Sequence, residues 1–278
     1  MIRKYIIYII ILTCIEASLV GYIGWWRSPF WTMVQNHDLH NFLWYILYFT
    51  IAALAACFVS ATNIWYQSLS GQLIRGQLTS KAIDIHTLDN NQVEGQSQRI
   101  QEDCNSYPTF VFSFGAQIFR NLLVLLVYSV LLIVQLKTFG YWYLLLPFAY
   151  AIIGTSIAHF IGKPLVHLNY INQMYEAKFR QALTELNYQT VRQNNYNVFC
   201  ATKKLNYFQY FFGQVSVIFP HLVLAPLYFG LTITFGVFMQ CASAMASMVE
   251  CLSVLINNYA EFNRWLSCRK RLKELKII

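Results

Sequence analysis

Residues 5–26 form the run YIIYIIILTCIEASLVGYIGWW, in which Glu16 is the only charged side chain. A helix needs about 20 apolar residues to cross a hydrocarbon core about 30 Å thick. Helices suit this environment because they satisfy their backbone hydrogen bonds internally. Five further runs are long enough, at about 42–66, 110–136, 139–161, 207–229 and 231–257. We therefore predict an all-α integral membrane protein with six transmembrane helices.

The amino-acid composition also disfavours a soluble enzyme. Of the 278 residues, 57% are hydrophobic and 12% are charged, whereas a soluble domain carries about 25% charged residues. No nucleophile–base arrangement is recognisable at any soluble site. Arg3 and Lys4 before the first run resemble the start of a signal peptide, but the run is too long and no A-x-A cleavage site follows. We expect this first helix to be retained.

The formal net charge of +8 follows a membrane topology and does not indicate nucleic-acid binding. If the N-terminus is cytoplasmic, 18 of the 20 basic residues, Arg120 among them, fall on the inner side. Only Arg27 and Lys137 fall on the outer side, which is the positive-inside pattern. We predict that both termini are cytoplasmic and that the basic tail, 258–278, anchors the topology at the lipid surface.

Long and short connections alternate between the apolar runs. The inner connections, 67–109 and 162–206, have the apolar periodicity of helices, so each is predicted to form a long cytoplasmic helical hairpin. The outer connections are short, and the longest of them is 27–41. Tryptophans in or just before this loop suit the headgroup belt; they are Trp25, Trp26 and Trp31.

Metal and nucleotide sites are not recognisable. The seven cysteines are scattered without metal-ligand spacing, so we predict neither a disulfide nor a metal site. His37 and His40 stand at i, i+3 in the outer loop, but no third ligand accompanies them. Gly162 and Lys163 form the only Gly-Lys pair, and it lacks the upstream glycine of a Walker A motif. We expect no cofactor and no nucleotide-binding domain.

The stretch EGQSQRIQEDC, residues 94–104, is polar between two apolar runs. On a helix, Glu94, Gln98 and Glu102 would share one face at i, i+4 and i+8, with Arg99 and Asp103 facing each other beside it. Such a face could dock a partner hairpin or a second protomer. Alternatively, the stretch is a solvated helix start whose acids favour the helix macrodipole.

Two acids lie inside predicted spans. A carboxylate in the bilayer costs several kcal/mol (about 3 on insertion scales), so Glu16 and Glu250 should face a cavity, find a partner or be protonated. Glu261 follows Glu250 by 11 residues, close to three turns of the same predicted helix. These three residues are our candidates for proton coupling. For Glu16, the alternative is a structural hydrogen bond to a neighbouring helix.

Three blocks of the sequence resemble motifs of one family. EGQSQRIQEDC is similar to E-G-x-x-Q-R-x-Q-E-D of the SbmA/BacA peptide transporters, and fatty-acyl ABC half-transporters carry a related N-P-D-Q-R-I-x-x-D version. IGKPLVHLNYINQMYEAKFRQAL, residues 161–183, resembles a block that ends in E-A-x-(F/Y)-R, here with Glu176 and Arg180. The last block resembles an ending with A-P-x-(F/Y)-F, T-(I/L)-G and M-Q; the matching positions are Ala225, Pro226, Phe229, Thr234, Gly236, Met239 and Gln240.

The resemblance implies the transmembrane fold of ABC exporters and places the first block at the inner gate of a transporter. It also implies proton-driven transport of peptides across the bacterial inner membrane. SbmA/BacA proteins carry additional membrane-spanning sequence before the six-helix core, so we expect a minimal version of the family.

The resulting hypothesis is a lipid-embedded homodimer that imports peptides or peptide-like antibiotics by alternating access, with protons as the coupling ion. The alternative is the permease subunit of an ABC transporter whose ATPase is a separate chain. A third possibility is a protein that does not transport and acts as a membrane interaction partner.

Overall fold

The structure, a computed structural model, describes residues 2–88, 96–181, 188–254, 258–274 and 277–278. Within these ranges the chain forms seven α-helices and no strand. They are α1 (Ile2–Gln35), α2 (Leu39–Leu88), α3 (Gln96–Leu136), α4 (Trp142–Gln181), α5 (Tyr188–Phe229), α6 (Phe235–Leu252) and α7 (Tyr259–Glu274).

The prediction of an all-α membrane fold is confirmed. Helices α1 to α6 are each long and apolar enough to cross a membrane. At 1.5 Å per residue, the 50 residues of α2 extend about 75 Å, far beyond a bilayer core. The helices α2 and α3 thus form one long hairpin, and α4 and α5 form a second. We call the end where these hairpins turn the hairpin end, and the opposite end the loop end.

The loop end is more helical than the sequence predicts. Residues 27–41 were expected to form a loop, but α1 continues through Pro29 to Gln35 and α2 begins at Leu39. The turn between them contains His37, whose φ is 59°. The helix continues because proline removes only one backbone donor and kinks a helix more often than it ends it.

Trp26 does not lie in a headgroup belt, so this part of the tryptophan prediction is wrong. Its indole is buried between α1 and α2, where it stacks on Phe30 with ring centroids 4.3 Å apart. The indole Nε1 donates a hydrogen bond of 2.9 Å to the Tyr45 carbonyl oxygen. The ring therefore joins two helices instead of facing lipid headgroups.

The core of the bundle is centred on α6, which packs against α1, α3, α4 and α5. Its buried face consists of small or flexible side chains that let neighbouring helices approach closely; they include Cys241, Ala244, Met245 and Met248. Thr234 caps the helix by accepting a hydrogen bond from the Val237 backbone N–H at 3.3 Å. At Gly236, an added Cβ would collide with the Ser28 carbonyl oxygen of α1.

The last predicted span is not one continuous helix. The helix α6 ends at Leu252, where the Ser253 backbone N–H closes the last turn on the carbonyl oxygens of Val249 and Glu250. The next helix, α7, begins at Tyr259. Glu250 thus lies on α6 and Glu261 on α7, and the row of acids stays a prediction because residues 255–257 between these helices are not described.

The helix α7 packs on α3 and follows it toward the hairpin end of the bundle, because Phe262 meets Phe114 and Arg271 meets Asp103. Apolar side chains of α7 and the segment after it share a buried cluster with residues of α2 and α3; the cluster comprises Ala82, Cys104, Cys268, Leu272 and Ile277. The ring of Trp265 stacks on Phe110 at 5.5 Å between centroids. The C-terminal segment is thus a packed element of the protein.

Candidate functional site

Glu16 of α1 is buried where α1, α2 and α3 meet, and its carboxylate accepts hydrogen bonds from side chains of α2 and α3. The residue is only 8% exposed. The carboxylate oxygen Oε1 accepts hydrogen bonds from Arg120 Nε of α3 at 3.0 Å and from Ser60 Oγ of α2 at 2.7 Å. The other oxygen, Oε2, accepts one from Asn63 Nδ2 at 3.3 Å. This network corresponds to the structural alternative for Glu16.

The Glu16 network continues along α1 and α2. Asn63 Nδ2 also donates to Thr13 Oγ1 at 3.1 Å, and Asn63 Oδ1 accepts from Gln67 Nε2 at 3.2 Å. A buried charge is tolerated when an opposite charge and additional hydrogen bonds replace its lost hydration. The network supplies both, so the contacts around Glu16 suit an ion pair with Arg120.

Arg120 was counted among the basic residues of the inner side, and the structure places it inside an apolar helix and not in a loop. It lies 16 positions before the end of α3 at Leu136, about 24 Å along the helix and within an apolar run. Its partner is Glu16, 104 positions away in the sequence. An arginine here is stable because its charge is compensated inside the protein and does not face lipid.

A cavity of about 210 Å³ lies beside this ion pair, between α1, α3 and α6. Arg120 and Glu250 both line it. Most of the other residues that line the cavity are polar. They lie on α3, on α6 and in the segment after α6, and they are Gln117, Asn121, Tyr128, Ser247 and Asn258. The volume corresponds to about seven water molecules at 30 Å³ each. Of the two acids that the sequence identified, Glu250 lines this cavity and Glu16 binds the arginine that lines it.

Glu250 differs from Glu16 because its carboxylate lacks a partner. The residue is exposed, and in the described part of the chain neither a hydrogen bond nor an ion pair engages its side chain. It lies in the last turn of α6, where the unsatisfied carbonyl groups make the helix end electronegative. Its side chain lines the cavity and remains available to a cationic group there.

The Arg120 guanidinium is only partly used by the protein. Its Nε donates to Glu16, while Nη1 and Nη2 form no hydrogen bond to any side chain or carbonyl that the structure describes. The side chain is 38% exposed and borders the cavity. An arginine side chain offers five N–H donors in a planar fork. The four N–H groups of the two Nη atoms are thus without a hydrogen-bond partner among the described residues.

A second polar contact inside the bundle involves Gln240, which the sequence marked only as a motif position. The residue is 1% exposed. Its Oε1 accepts a hydrogen bond from Gln135 Nε2 of α3 at 2.9 Å, and its Nε2 donates to the Gly24 carbonyl oxygen of α1 at 3.0 Å. One amide therefore ties α6 to two other helices, and we assign it a structural role.

Within the polar stretch 94–104, Asp103 makes the defining contact. Asp103 is buried, and its carboxylate accepts two hydrogen bonds from Arg271 of α7: Nε to Oδ2 at 2.7 Å and Nη2 to Oδ1 at 2.6 Å. Cys268 Sγ donates to the Asp103 backbone carbonyl oxygen at 3.4 Å. A solvated helix start therefore does not describe Asp103, although Glu102 beside it is exposed.

We call these contacts of α7 with Asp103 the clasp. Hydrogen bonding to Asp103 raises the pKa of the Arg271 guanidinium above its ordinary value. Burial, together with the neighbouring Asp103 carboxylate, raises the pKa of the Cys268 thiol to about 12. After α7, the Ile277 carbonyl oxygen accepts a hydrogen bond of 2.8 Å from Lys81 Nζ of α2. Arg271 thus binds protein, in contrast to the predicted lipid-surface role of the tail.

The remaining candidate residues are less closely connected to the cavity. Glu94 lies outside the described residues, as do the side chains of four residues whose backbone is helical, namely Gln98, Arg99, Glu176 and Arg180. Glu261 is exposed in the first turn of α7. His37 and His40 are exposed, and the described residues contain no group of three His, Cys, Asp or Glu side chains that could hold a metal ion.

The sequence signals for Arg120 and Arg271 were present but ambiguous. Arg120 interrupts an apolar run, as Glu16 does, so two opposite charges at similar depth could have suggested a pair. Arg271 lies in the basic run RKRLK, residues 269–273, where only Cys268 and Leu272 at i, i+4 indicate an inward face. Which of several cations meets a given acid depends on helix packing, and one sequence does not contain that information.

Comparisons with known proteins agree with the motif resemblance. The sequence model of the SbmA/BacA-like family matches residues 5–277. An uncharacterized ABC transporter ATP-binding protein of Haemophilus influenzae is 25% identical over 82% of this chain and 45% of its own length. The inner membrane ABC transporter ATP-binding protein YddA of Escherichia coli is 21% identical over 97% of this chain and 56% of its own length.

A plant relative extends the comparison. ABC transporter D family member 2, chloroplastic, of Arabidopsis thaliana is 24% identical over 66% of this chain and 28% of its own length. The chain therefore spans about half or less of the length of the curated relatives that it matches. The matched regions cover most of the helical bundle described above.

Proposed function

Because this multi-pass membrane transporter belongs to the SbmA/BacA-like family, we propose that it imports peptides or peptide-like antibiotics across the bacterial inner membrane, driven by the proton gradient. Both termini are placed in the cytoplasm by the distribution of basic residues, which remains asymmetric when Arg120 is removed from the count. The hairpin end then faces the cytoplasm, and the loop end faces the periplasm.

The observation that supports proton coupling is the unpaired carboxylate of Glu250 beside a polar cavity. A proton carrier in a membrane must reach water and must be able to exist in both protonation states. Glu250 meets the first condition because it lines the cavity, and the second because no fixed cation in the described structure holds it as an anion. Glu16 lies 3.0 Å from Arg120 Nε, so we assign it the role of Arg120's counter-ion.

Transport would proceed by alternating access in a homodimer. One chain encloses a space of only about 210 Å³ at this site, which is too small for a peptide of several residues. Two chains related by a two-fold axis would place their cavities around a shared pathway. Protonation of Glu250 removes a negative charge from each cavity, and this change of charge would favour closure on the outer side.

Uptake into vesicles under an imposed pH gradient tests this proposal. Glu250→Gln should abolish pH-driven uptake of a labelled peptide, because glutamine keeps the shape of the side chain and cannot titrate. Asp38→Asn is the matched control, since Asp38 is a partly exposed acid at the loop end whose pKa is lowered by hydrogen bonds from Asn41. Glu261→Gln in the same assay decides whether the third candidate acid contributes. Equal uptake by wild type and Glu250→Gln would refute Glu250 as the carrier.

The alternative is the membrane subunit of an ABC transporter with its ATPase on another chain. The relatives named as ABC transporter ATP-binding proteins favour this alternative. The long hairpins would then transmit motion from the ATPase. Uptake that stops when ATP is depleted, and that survives a protonophore, would support it. The reverse pattern supports proton coupling.

A further inference from the structure

We infer that Arg120 is a binding site for the carboxylate of the transported ligand and that Glu250 receives a cationic group of the same ligand. This inference rests on the proposed transport of peptides, and it narrows the substrate class to peptides with a free carboxyl terminus and a nearby positive charge. The ligand cation and the coupling proton would occupy Glu250 in turn, so the inference concerns what the cavity binds while Glu250 is ionised.

The first argument is the geometry of Arg120. The Glu16 carboxylate uses the Nε edge of the guanidinium, and its second oxygen is occupied by Asn63. The two Nη atoms form no hydrogen bond within the described structure, yet the side chain borders the cavity. A planar fork of this kind binds a carboxylate through two parallel hydrogen bonds. The free edge of Arg120 is therefore suited to a carboxylate ligand.

The second argument is the charge balance of the cavity. Glu16 already neutralises Arg120, so an added carboxylate leaves the pair with one excess negative charge. Ionised Glu250 adds another, and Tyr128 and Cys251 are the other titratable groups at the wall. A ligand that carries only an anion would therefore be repelled unless Glu250 is protonated. A ligand that also carries an ammonium or guanidinium group compensates Glu250 directly.

The third argument is the size and polarity of the site. A cavity of about 210 Å³ accommodates the end of a peptide and not its whole length. Amide and hydroxyl groups from Gln117, Asn121 and Ser247 surround it and could satisfy the polar atoms of the terminal residue. The remainder of a longer peptide would extend into the pathway between protomers. The site thus recognises an end of the chain and tolerates variation elsewhere.

Binding measurements on the purified full chain in lipid nanodiscs test the site without requiring transport. The probes are the tripeptide alanyl-alanyl-lysine with a free carboxyl terminus, the same peptide with a C-terminal amide, and trialanine. We expect the free acid to bind at least about tenfold more tightly than the amide, as loss of a bidentate charged contact predicts. Trialanine should bind more weakly than alanyl-alanyl-lysine, because its one cation, the N-terminal ammonium, is two residues away from the terminal carboxylate, whereas the lysine side chain is on the same residue as that carboxylate.

Substitutions assign the two contacts. Arg120→Lys keeps a positive charge next to Glu16 but loses the planar fork, so the preference for acid over amide should fall toward unity. Glu250→Gln should remove the preference for lysine and leave the preference for the acid in place. Arg27→Lys is the control, because Arg27 bonds to Ser243 away from the cavity. Unchanged thermal unfolding midpoints show that the variants fold.

Several outcomes would overturn the inference. Equal binding of the acid and the amide to the wild-type protein, or no binding of either at millimolar concentration, excludes a carboxylate site. Tighter binding of octanoate than of the tripeptide would assign the site to lipid-derived acids. If peptide binding follows the expected pattern while uptake ignores the pH gradient, the binding site stands and proton coupling fails. If uptake follows the pH gradient while the acid and the amide bind equally, proton coupling stands and the carboxylate site is refuted.

Discussion

The clasp between α7 and Asp103 leads to a quantitative prediction for Arg271→Gln. Arg271 forms two short hydrogen bonds to a carboxylate whose side chain is only 7% exposed, whereas its own side chain is 44% exposed. Breaking a fully buried ion pair costs about 3–5 kcal/mol, and an exposed pair contributes about 0–1 kcal/mol. This half-exposed pair lies between these limits. We therefore expect α7 docking to be weakened by about 2 kcal/mol.

The assay is the alkylation rate of Cys268, a thiol that is 2% exposed in the docked state. A buried thiol reacts with a maleimide only after local opening, so its rate reports the population of the open state. A loss of about 2 kcal/mol increases that population roughly thirtyfold, since 1.4 kcal/mol corresponds to a factor of ten. Mass spectrometry of the labelled peptides can follow Cys268 and Cys104 separately. Both should accelerate together, because both belong to the cluster that α7 covers.

Lys273→Gln is the matched control for this experiment. It removes the same charge from an exposed position on the same helix and leaves the Asp103 contact intact. Its labelling rate should stay within about twofold of wild type, as surface substitutions rarely exceed 0.5 kcal/mol. If Arg271→Gln and Lys273→Gln react at the same rate, the ion pair does not hold α7. Failure of Asp103→Asn to reproduce the effect of Arg271→Gln would refute the reasoning as well.

Helix packing and the chemistry of the clasp yield three further measurable effects. Gly236→Ala should lower the unfolding midpoint, at a cost of about 1–3 kcal/mol, because its Cβ meets the Ser28 backbone; Gly213→Ala, with no atom within 4 Å, should not. Gln240→Leu should cost about 1–3 kcal/mol by leaving its partners on α1 and α3 unsatisfied, and an unchanged midpoint would contradict the bridging role. The Cys268 thiol has an ordinary pKa near 9 and a pKa of about 12 when α7 is docked. The contribution of the neutral thiol to the docking of α7 is therefore fully present below pH 9 and is lost as the pH rises toward 12. Limited proteolysis of α7 should show this loss, and Cys268→Ser should lack this pH dependence.

The sequence predicted which segments form membrane-length helices, but it did not always predict where these helices begin and end. Hydrophobic runs placed six membrane-length helices correctly, because lipid allows few alternatives to a helix of sufficient length. The boundaries of α1 and α6 differed from expectation. At α1 the proline did not end the helix, and at α6 the apolar run continued past Leu252, where the helix ends. Local composition cannot show where tertiary contacts extend or interrupt a helix.

At the candidate site, too, the sequence identified some of the residues but not the partners that they bind. Sequence alone made Glu16 and Glu250 candidates for proton coupling and left a structural hydrogen bond as the alternative for Glu16. The structure gives Glu16 three hydrogen bonds, one of them from the cation Arg120, and leaves Glu250 without a partner in the described region. The motif at 94–104 was identified, but its partner Arg271 was not. Both missed partners lie more than one hundred positions away in the sequence.

The sequence by itself determined that this protein lies in a membrane, that it is helical, and to which family it belongs, because hydropathy and motif spacing are local properties of the chain. Only the tertiary structure decided which acid is neutralised, where a polar cavity opens and what holds the C-terminal helix. These features depend on distances between side chains of different helices, and an ion pair or a cavity exists only once those helices have packed.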